Sequence, residues 1–146
     1  MQTIISKLDN LIDSFPGFTT EGFQTIPWGS AAEVYCDFYY KLDTLLAEHG
    51  YEFIGKGRQR RTYKRGNFVL KIPFNEDGEN SNYKEHYTYK KNIGDIYAPC
   101  RLIGRYLVMV YAKQVLHNLP YWAGEIDCAQ VGKTKYGKIV AYDYGY

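Results

Sequence analysis

At 146 residues, with 45% hydrophobic side chains and a formal net charge of +2, the chain is long enough to bury a single core without disulfides or a structural metal. Its three cysteines, Cys36, Cys100 and Cys128, are widely spaced and include no CxxC pair, which argues against a disulfide framework and a zinc module and favours a reducing compartment. The longest apolar stretch, Tyr106 to Ala112, is far too short to cross a bilayer, and no basic patch followed by an apolar run opens the sequence. A cytoplasmic protein with no membrane partner is expected.

The small net charge hides an asymmetry. Residues 1–50 carry two Lys/Arg against seven Asp/Glu, whereas residues 51–71 carry seven Lys/Arg against Glu52 alone. Such a local surplus makes a field that phosphates or an acidic partner would feel. The 16 tyrosines fit strand composition, and they also offer amphipathic aromatic surface to a partner.

Thr3 to Phe15 sets Ile4, Ile5, Leu8, Leu11, Ile12 and Phe15 on one face, which is helical spacing. Pro16 and Gly17 end that helix, and a loop follows through Gly29. Ser30 and Glu33 have the spacing of a capping box for a second helix, whose apolar stripe runs from Val34 to Leu46 before His49 and Gly50 stop it. The period then shortens. Tyr51–Ile54, Arg61–Lys64 and Phe68–Ile72 read as an antiparallel meander with a turn at Arg65-Gly66-Asn67. Asn80 to Lys91 reads as a polar helix, Tyr97–Ile103 and Arg105–Tyr111 as a hairpin about Gly104, and Lys113–Gly124 as a connection. A last pair, Ile126–Val131 and Lys138–Asp143, turns at Lys135-Tyr136-Gly137. The expected fold is a single α+β domain over 1–146: a helical part, 1–50, followed by a mainly antiparallel sheet region, 51–146.

Three features carry chemical interest. Gly55-Lys56-Gly57 lies between two expected strands, which is an ordinary hairpin turn or a phosphate loop. Lys71 sits in the otherwise apolar Phe68-Val69-Leu70-Lys71-Ile72, where it either snorkels at an edge or meets an anion. Val140-Ala141-Tyr142-Asp143-Tyr144-Gly145 ends a strand with an acid, an aromatic and a glycine.

In this order the features resemble the protein-kinase series of glycine-rich loop, strand-three lysine, helix-C glutamate and metal-binding Asp-Phe-Gly. The resemblance covers residues 51–146. It implies the fold of a kinase nucleotide-binding lobe without the helical substrate lobe, with ATP and Mg²⁺ as cofactors. Gly55, Gly57, Lys71, Glu85 (with Glu79 as a rival) and Met109 would contact the nucleotide, Met109 within Tyr106–Tyr111 where the adenine would lie. Asp143 and Gln130 would hold metal, and Asp127 would be the catalytic base in a compressed loop; the strict kinase spacing gives Glu125. The departures are as plain. Arg60 stands near the place of the third loop glycine, no His-Arg-Asp precedes the last hairpin, and the sequence runs only one residue past Gly145.

The leading expectation is therefore a noncatalytic, pseudokinase-type protein that binds another protein. Compact kinase-like reading frames of bacteriophages look similar, which implies a host factor as the partner. The alternative is a minimal Mg-ATP-dependent phosphotransferase using Lys71, Glu85, Asp127 and Asp143. A third reading is a nucleic-acid-binding protein using the basic hairpin 56–65, with Lys56, Arg58, Arg60, Arg61, Lys64 and Arg65 interleaved with aromatics; the acidic first 50 residues argue against it.

Overall fold

The structure, a computed structural model, describes residues 2–126 and 130–145. Helix α1 spans Gln2–Asp13 and α3 spans Ala31–Glu48, close to the expected bounds. Between them the expected loop contains a 3₁₀ turn, Pro16–Phe18, and a short helix α2, Thr20–Gln24, whose start is capped by Thr19 accepting from the Gly22 amide. The expected Ser30–Glu33 capping box is not formed. Ser30 has helical dihedrals and makes no side-chain cap bond, because a cap oxygen reaches the first amides only from an extended backbone.

Strands β1 (Glu52–Lys56), β2 (Arg60–Arg65), β3 (Phe68–Pro73), β4 (Cys100–Ile103) and β5 (Tyr106–Val110) form one antiparallel sheet in the order β1-β2-β3-β5-β4. Helix α4, Glu76–Lys91, follows β3 and begins four residues before the expected Asn80. Asn75 caps it through the Gly78 amide, and Glu76, Asp77 and Glu79 in the first turn with Lys90 and Lys91 in the last complement the helix dipole. Strands β6 (Lys113–Gln114), β7 (Val131–Lys133) and β8 (Ile139–Ala141) form a second, small sheet. The expected strand Ile126–Val131 falls partly on residues 127–129, which lie outside the described residues. The described strand, Val131–Lys133, runs two residues past the expected end, up to a turn closed by Gly137 N→Thr134 O and Thr134 N→Lys138 O.

The apolar run of β3 is explained by burial on both faces. Leu70 and Ile72, with Tyr63 and Tyr106, pack against Ile4, Leu8 and Ile12 of α1 and Phe38, Leu42 and Leu46 of α3. Val69, with Leu107 and Met109, faces a second cluster containing Ala98, Ile126, Val140, Ala141 and Tyr144. Polar ties join the helices to the sheet: Arg61 Nη2 lies 2.9 Å from both oxygens of Asp43, Tyr63 Oη donates to the same carboxylate, and Tyr106 Oη donates to Asp9 at 2.6 Å. Helices and sheet thus share one continuous core.

Strand β8 is also bound to the segment before β4. Ala98 N donates to Ala141 O, and Ala141 N to Ile96 O, at 2.8 and 2.7 Å. Tyr144 is 3% exposed and donates its hydroxyl to Ala98 O at 2.6 Å. These bonds carry residues 142–145 beneath the five-stranded sheet, beside α4. No helix among the described residues is long and apolar enough to cross a membrane.

Candidate functional site

A cleft of about 1120 Å³ opens between the β1–β2 turn, β3, α4 and the segment after β8. Lys71 reaches it from β3, where Thr62 on β2 and Leu107 on β5 are its register partners. A lysine on this face is almost entirely removed from water and needs an anion. Glu85, on the third turn of α4 and 0% exposed, supplies it: Lys71 Nζ to Glu85 Oε1 is 2.6 Å. A second proton on Nζ is donated to Tyr142 O, also at 2.6 Å. The strand-three ammonium therefore meets both the helix and the far end of the chain.

Arg60, at the start of β2, completes the cluster. Its Nη2 lies 2.7 Å from Glu85 Oε2 and 3.0 Å from Asp143 Oδ1, and its Nη1 donates to Asn82 Oδ1 at 3.0 Å. Asn82 is 0% exposed, and its amide nitrogen donates to Lys71 O and Arg105 O. Two cations and two carboxylates thus neutralise one another in a space largely closed to solvent, and no buried side-chain polar atom is left without a hydrogen-bond partner among the described residues.

The electrostatics follow from this packing. Burial would raise the Glu85 carboxyl, but Lys71 and then Arg60 outweigh it and hold the group below the ordinary range, so it is ionised. Burial lowers Lys71, with Glu85 opposing. For Arg60 the attraction of Glu85 and Asp143 overcomes burial and raises the guanidinium further. Asp143 is raised, chiefly by burial, with Lys71 and Arg60 pulling the other way and Glu85 adding to the rise.

The remaining expected site residues fall around the same cleft. Gly55 and Gly57 line its mouth, and Gly57 N donates to Arg60 O at 2.9 Å to close the β1–β2 turn. A Cβ at Gly55 would meet nothing within 4 Å, so no close approach in this structure demands a glycine there. Met109 is in the inner wall with Val69 and Tyr111, and Gln130 lines the floor near Tyr142, whose amide its carbonyl accepts. Glu79, the rival to Glu85, accepts instead from Tyr83 on its own helix. Asp127 lies outside the described residues.

Sequence reasoning overlooked Asn82 and saw Arg60 as a missing glycine or as one of the cations of the basic hairpin, not as a partner of Glu85 and Asp143. A polar residue three positions before Glu85 gave a helical-face signal for Asn82; Arg60 gave none, since its partners are 25 and 83 residues away. The basic hairpin is also largely consumed. Arg60 and Arg61 are ion-paired, while Lys64 and Arg65 lie over the Tyr111 and Tyr51 rings.

The donor set does not fit a divalent cation in the wild-type arrangement. Asp143, the carboxylate at the place implied for a metal ligand, is bonded to Arg60, and among the described residues no group of three His, Cys, Asp or Glu is placed to hold a metal. No protein-family model and no curated protein matches the chain.

Proposed function

We propose that the protein is a noncatalytic, kinase-like module that acts by binding another protein. The observation that supports this reading best is the Arg60 guanidinium shared between Glu85 and Asp143. In kinase chemistry the lysine–glutamate pair positions the nucleotide while a separate aspartate holds Mg²⁺ against the phosphates. Here that aspartate is spent on an internal cation, and the cluster serves to fasten the segment after β8 to α4 and β3. Phosphoryl transfer depends on positioned charge, and the charge here is already balanced.

The surface that remains available is cationic. Lys56, Arg58 and Lys84 line the cleft mouth and make no ion pair among the described residues, with Ile54 and Tyr83 exposed beside them. Aromatic and basic side chains at a concave surface suit an acidic protein segment, for which charge complementarity supplies rate and specificity.

Calorimetric titration with ATP, with and without Mg²⁺, and an assay for phosphate release test the noncatalytic reading. The expected result is no turnover and no gain in nucleotide affinity on adding Mg²⁺. Mg²⁺-dependent binding with turnover lost in Asp143→Ala would overturn it in favour of the minimal phosphotransferase.

A further inference from the structure

We infer that the cleft takes an acidic peptide segment carrying a bulky apolar side chain, with that side chain seated against Val69, Met109 and Ala112 and the flanking carboxylates paired with Lys56, Arg58 and Lys84. The inference rests on the protein-binding reading and names the class of segment that the cleft admits.

Charge in the cleft is sorted by depth. At the inner end Lys71 and Arg60 already hold Glu85, Asp143, Asn82 and the Tyr142 carbonyl between them. That cluster offers no net charge to an incoming anion, and the Asp143 side chain, 33% exposed, would repel one. A ligand with its charge concentrated on one group, such as a triphosphate, therefore gains little by entering that far. The mouth is different. Lys56 and Arg58 at the β1–β2 turn and Lys84 on α4 are exposed, and the one acid lining the mouth beside them among the described residues is Asp77. Because these cations stand on two walls, carboxylates that meet them are spaced along a chain rather than gathered on one group.

Between mouth and cluster the wall is apolar. Val69 of β3, Met109 of β5 and Ala112 just beyond it line the cleft, and all three belong to the second core cluster, which holds them in place. An apolar surface fixed by a core is preformed, so little ordering is needed when a side chain docks on it. The cleft volume, about 1120 Å³, slightly exceeds the roughly 1,000 Å³ at the upper end of small-ligand sites and accommodates several residues of an extended segment. A central apolar anchor supplies affinity, and the surrounding charge pairs supply association rate and register.

The test uses the full chain with ¹³C-labelled methionine methyls and a fluorescein-tagged peptide in which a tryptophan is flanked on both sides by paired glutamates. The chain has two methionines, Met1 and Met109, so the Met109 methyl is an isolated reporter of the apolar wall. The peptide should bind by fluorescence anisotropy, more weakly as salt rises, and its indole should shift the Met109 methyl resonance. Alanine in place of the tryptophan should weaken binding at least about tenfold and remove that shift. The pair Lys56→Glu and Arg58→Glu, and separately Lys84→Glu, should each weaken binding at least about fivefold. Lys135→Glu, on the β7–β8 turn outside the cleft, should leave it unchanged. ATP without metal should bind more weakly than the peptide. No peptide binding, binding indifferent to the tryptophan, an unmoved Met109 resonance, an equal loss in Lys135→Glu, or ATP binding tighter than the peptide would each overturn the inference. ATP turnover, by contrast, would overturn the noncatalytic reading, while the peptide measurements still decide this one.

Discussion

Replacing Glu85 by glutamine is the most informative single change to the cluster. The side chain keeps its shape, so packing is preserved, but the carboxylate that Lys71 and Arg60 share loses its charge. One of its two oxygens becomes an amide nitrogen whose protons face a cation. The Lys71 side chain is only 7% exposed and cannot recover its hydration. Removing one partner of a buried ion pair costs about 3–5 kcal/mol, and the desolvation that Glu85 itself no longer suffers places the expectation near the lower end. At this chain length a loss of about 3 kcal/mol lowers the thermal midpoint by roughly 10 °C. Urea and thermal denaturation followed by circular dichroism read this directly, with Glu79→Gln as the matched control expected to stay within about 0.5 kcal/mol. A Glu85→Gln loss below about 1 kcal/mol, or an equal loss for Glu79→Gln, would refute the reasoning. The pH dependence has a definite sign. The Glu85 carboxyl is held below its ordinary value, so its contribution is complete above the unfolded-state pKa of about 4.3 and is lost as pH falls through the lowered value. The glutamine variant should lack that part of the acid limb. Asp143, raised by burial, runs the other way, weakening the fold as pH rises from its unfolded value through the raised one; repeating the titration in Asp143→Asn separates the two.

Leu42, 0% exposed between α3 and the sheet, should cost about 2–5 kcal/mol when cut to alanine; a loss under 1 kcal/mol in chemical denaturation would show that the N-terminal helices do not share the sheet's core. Gly78→Ala should destabilise by about 1–3 kcal/mol, because a Cβ there overlaps the Gln59 carbonyl that precedes Arg60; unchanged stability would contradict that close approach. Tyr106→Phe removes the bond to Asp9 and should cost about 1.5–3 kcal/mol, measured by urea unfolding. Burial pushes the Cys100 thiol up to about 11, whereas Cys36 is exposed. Iodoacetamide at neutral pH followed by peptide mass spectrometry should therefore modify Cys36 well before Cys100.

The fold was legible wherever one face of an element alone decides its period. Ile4, Leu8 and Ile12 mark α1, and the apolar run around Lys71 marks a strand covered on both sides, since both signals are local. Helix α4 was placed late because its opening is polar throughout, and its true start is set by the Asn75 cap rather than by an apolar stripe. In the last hairpin the turn at Lys135-Tyr136-Gly137 was legible, but the first strand runs to Lys133 rather than Val131, up to the Thr134–Lys138 turn bonds. In the cleft, Lys71 was visible as a charge in an apolar strand and Asp143 as an acid at a strand end, whereas Glu85, in a polar helix, was visible only through the kinase resemblance. The bond that joins them was not, because Arg60 belongs to a run of cations whose individual partners depend on tertiary distance: Asp43 for Arg61, an aromatic ring for Lys64, and two carboxylates for Arg60 itself.

The most direct measurement of this geometry is a double-mutant cycle between Arg60 and Asp143, 83 residues apart in sequence and 3.0 Å apart in the fold. Arg60→Gln, Asp143→Asn and the double variant, each unfolded in urea at neutral pH, should give a coupling of about 1–2 kcal/mol, since contacting groups in one ionic network couple while distant groups do not. Losses that simply add, to within about 0.3 kcal/mol, would mean that the guanidinium and the carboxylate do not meet.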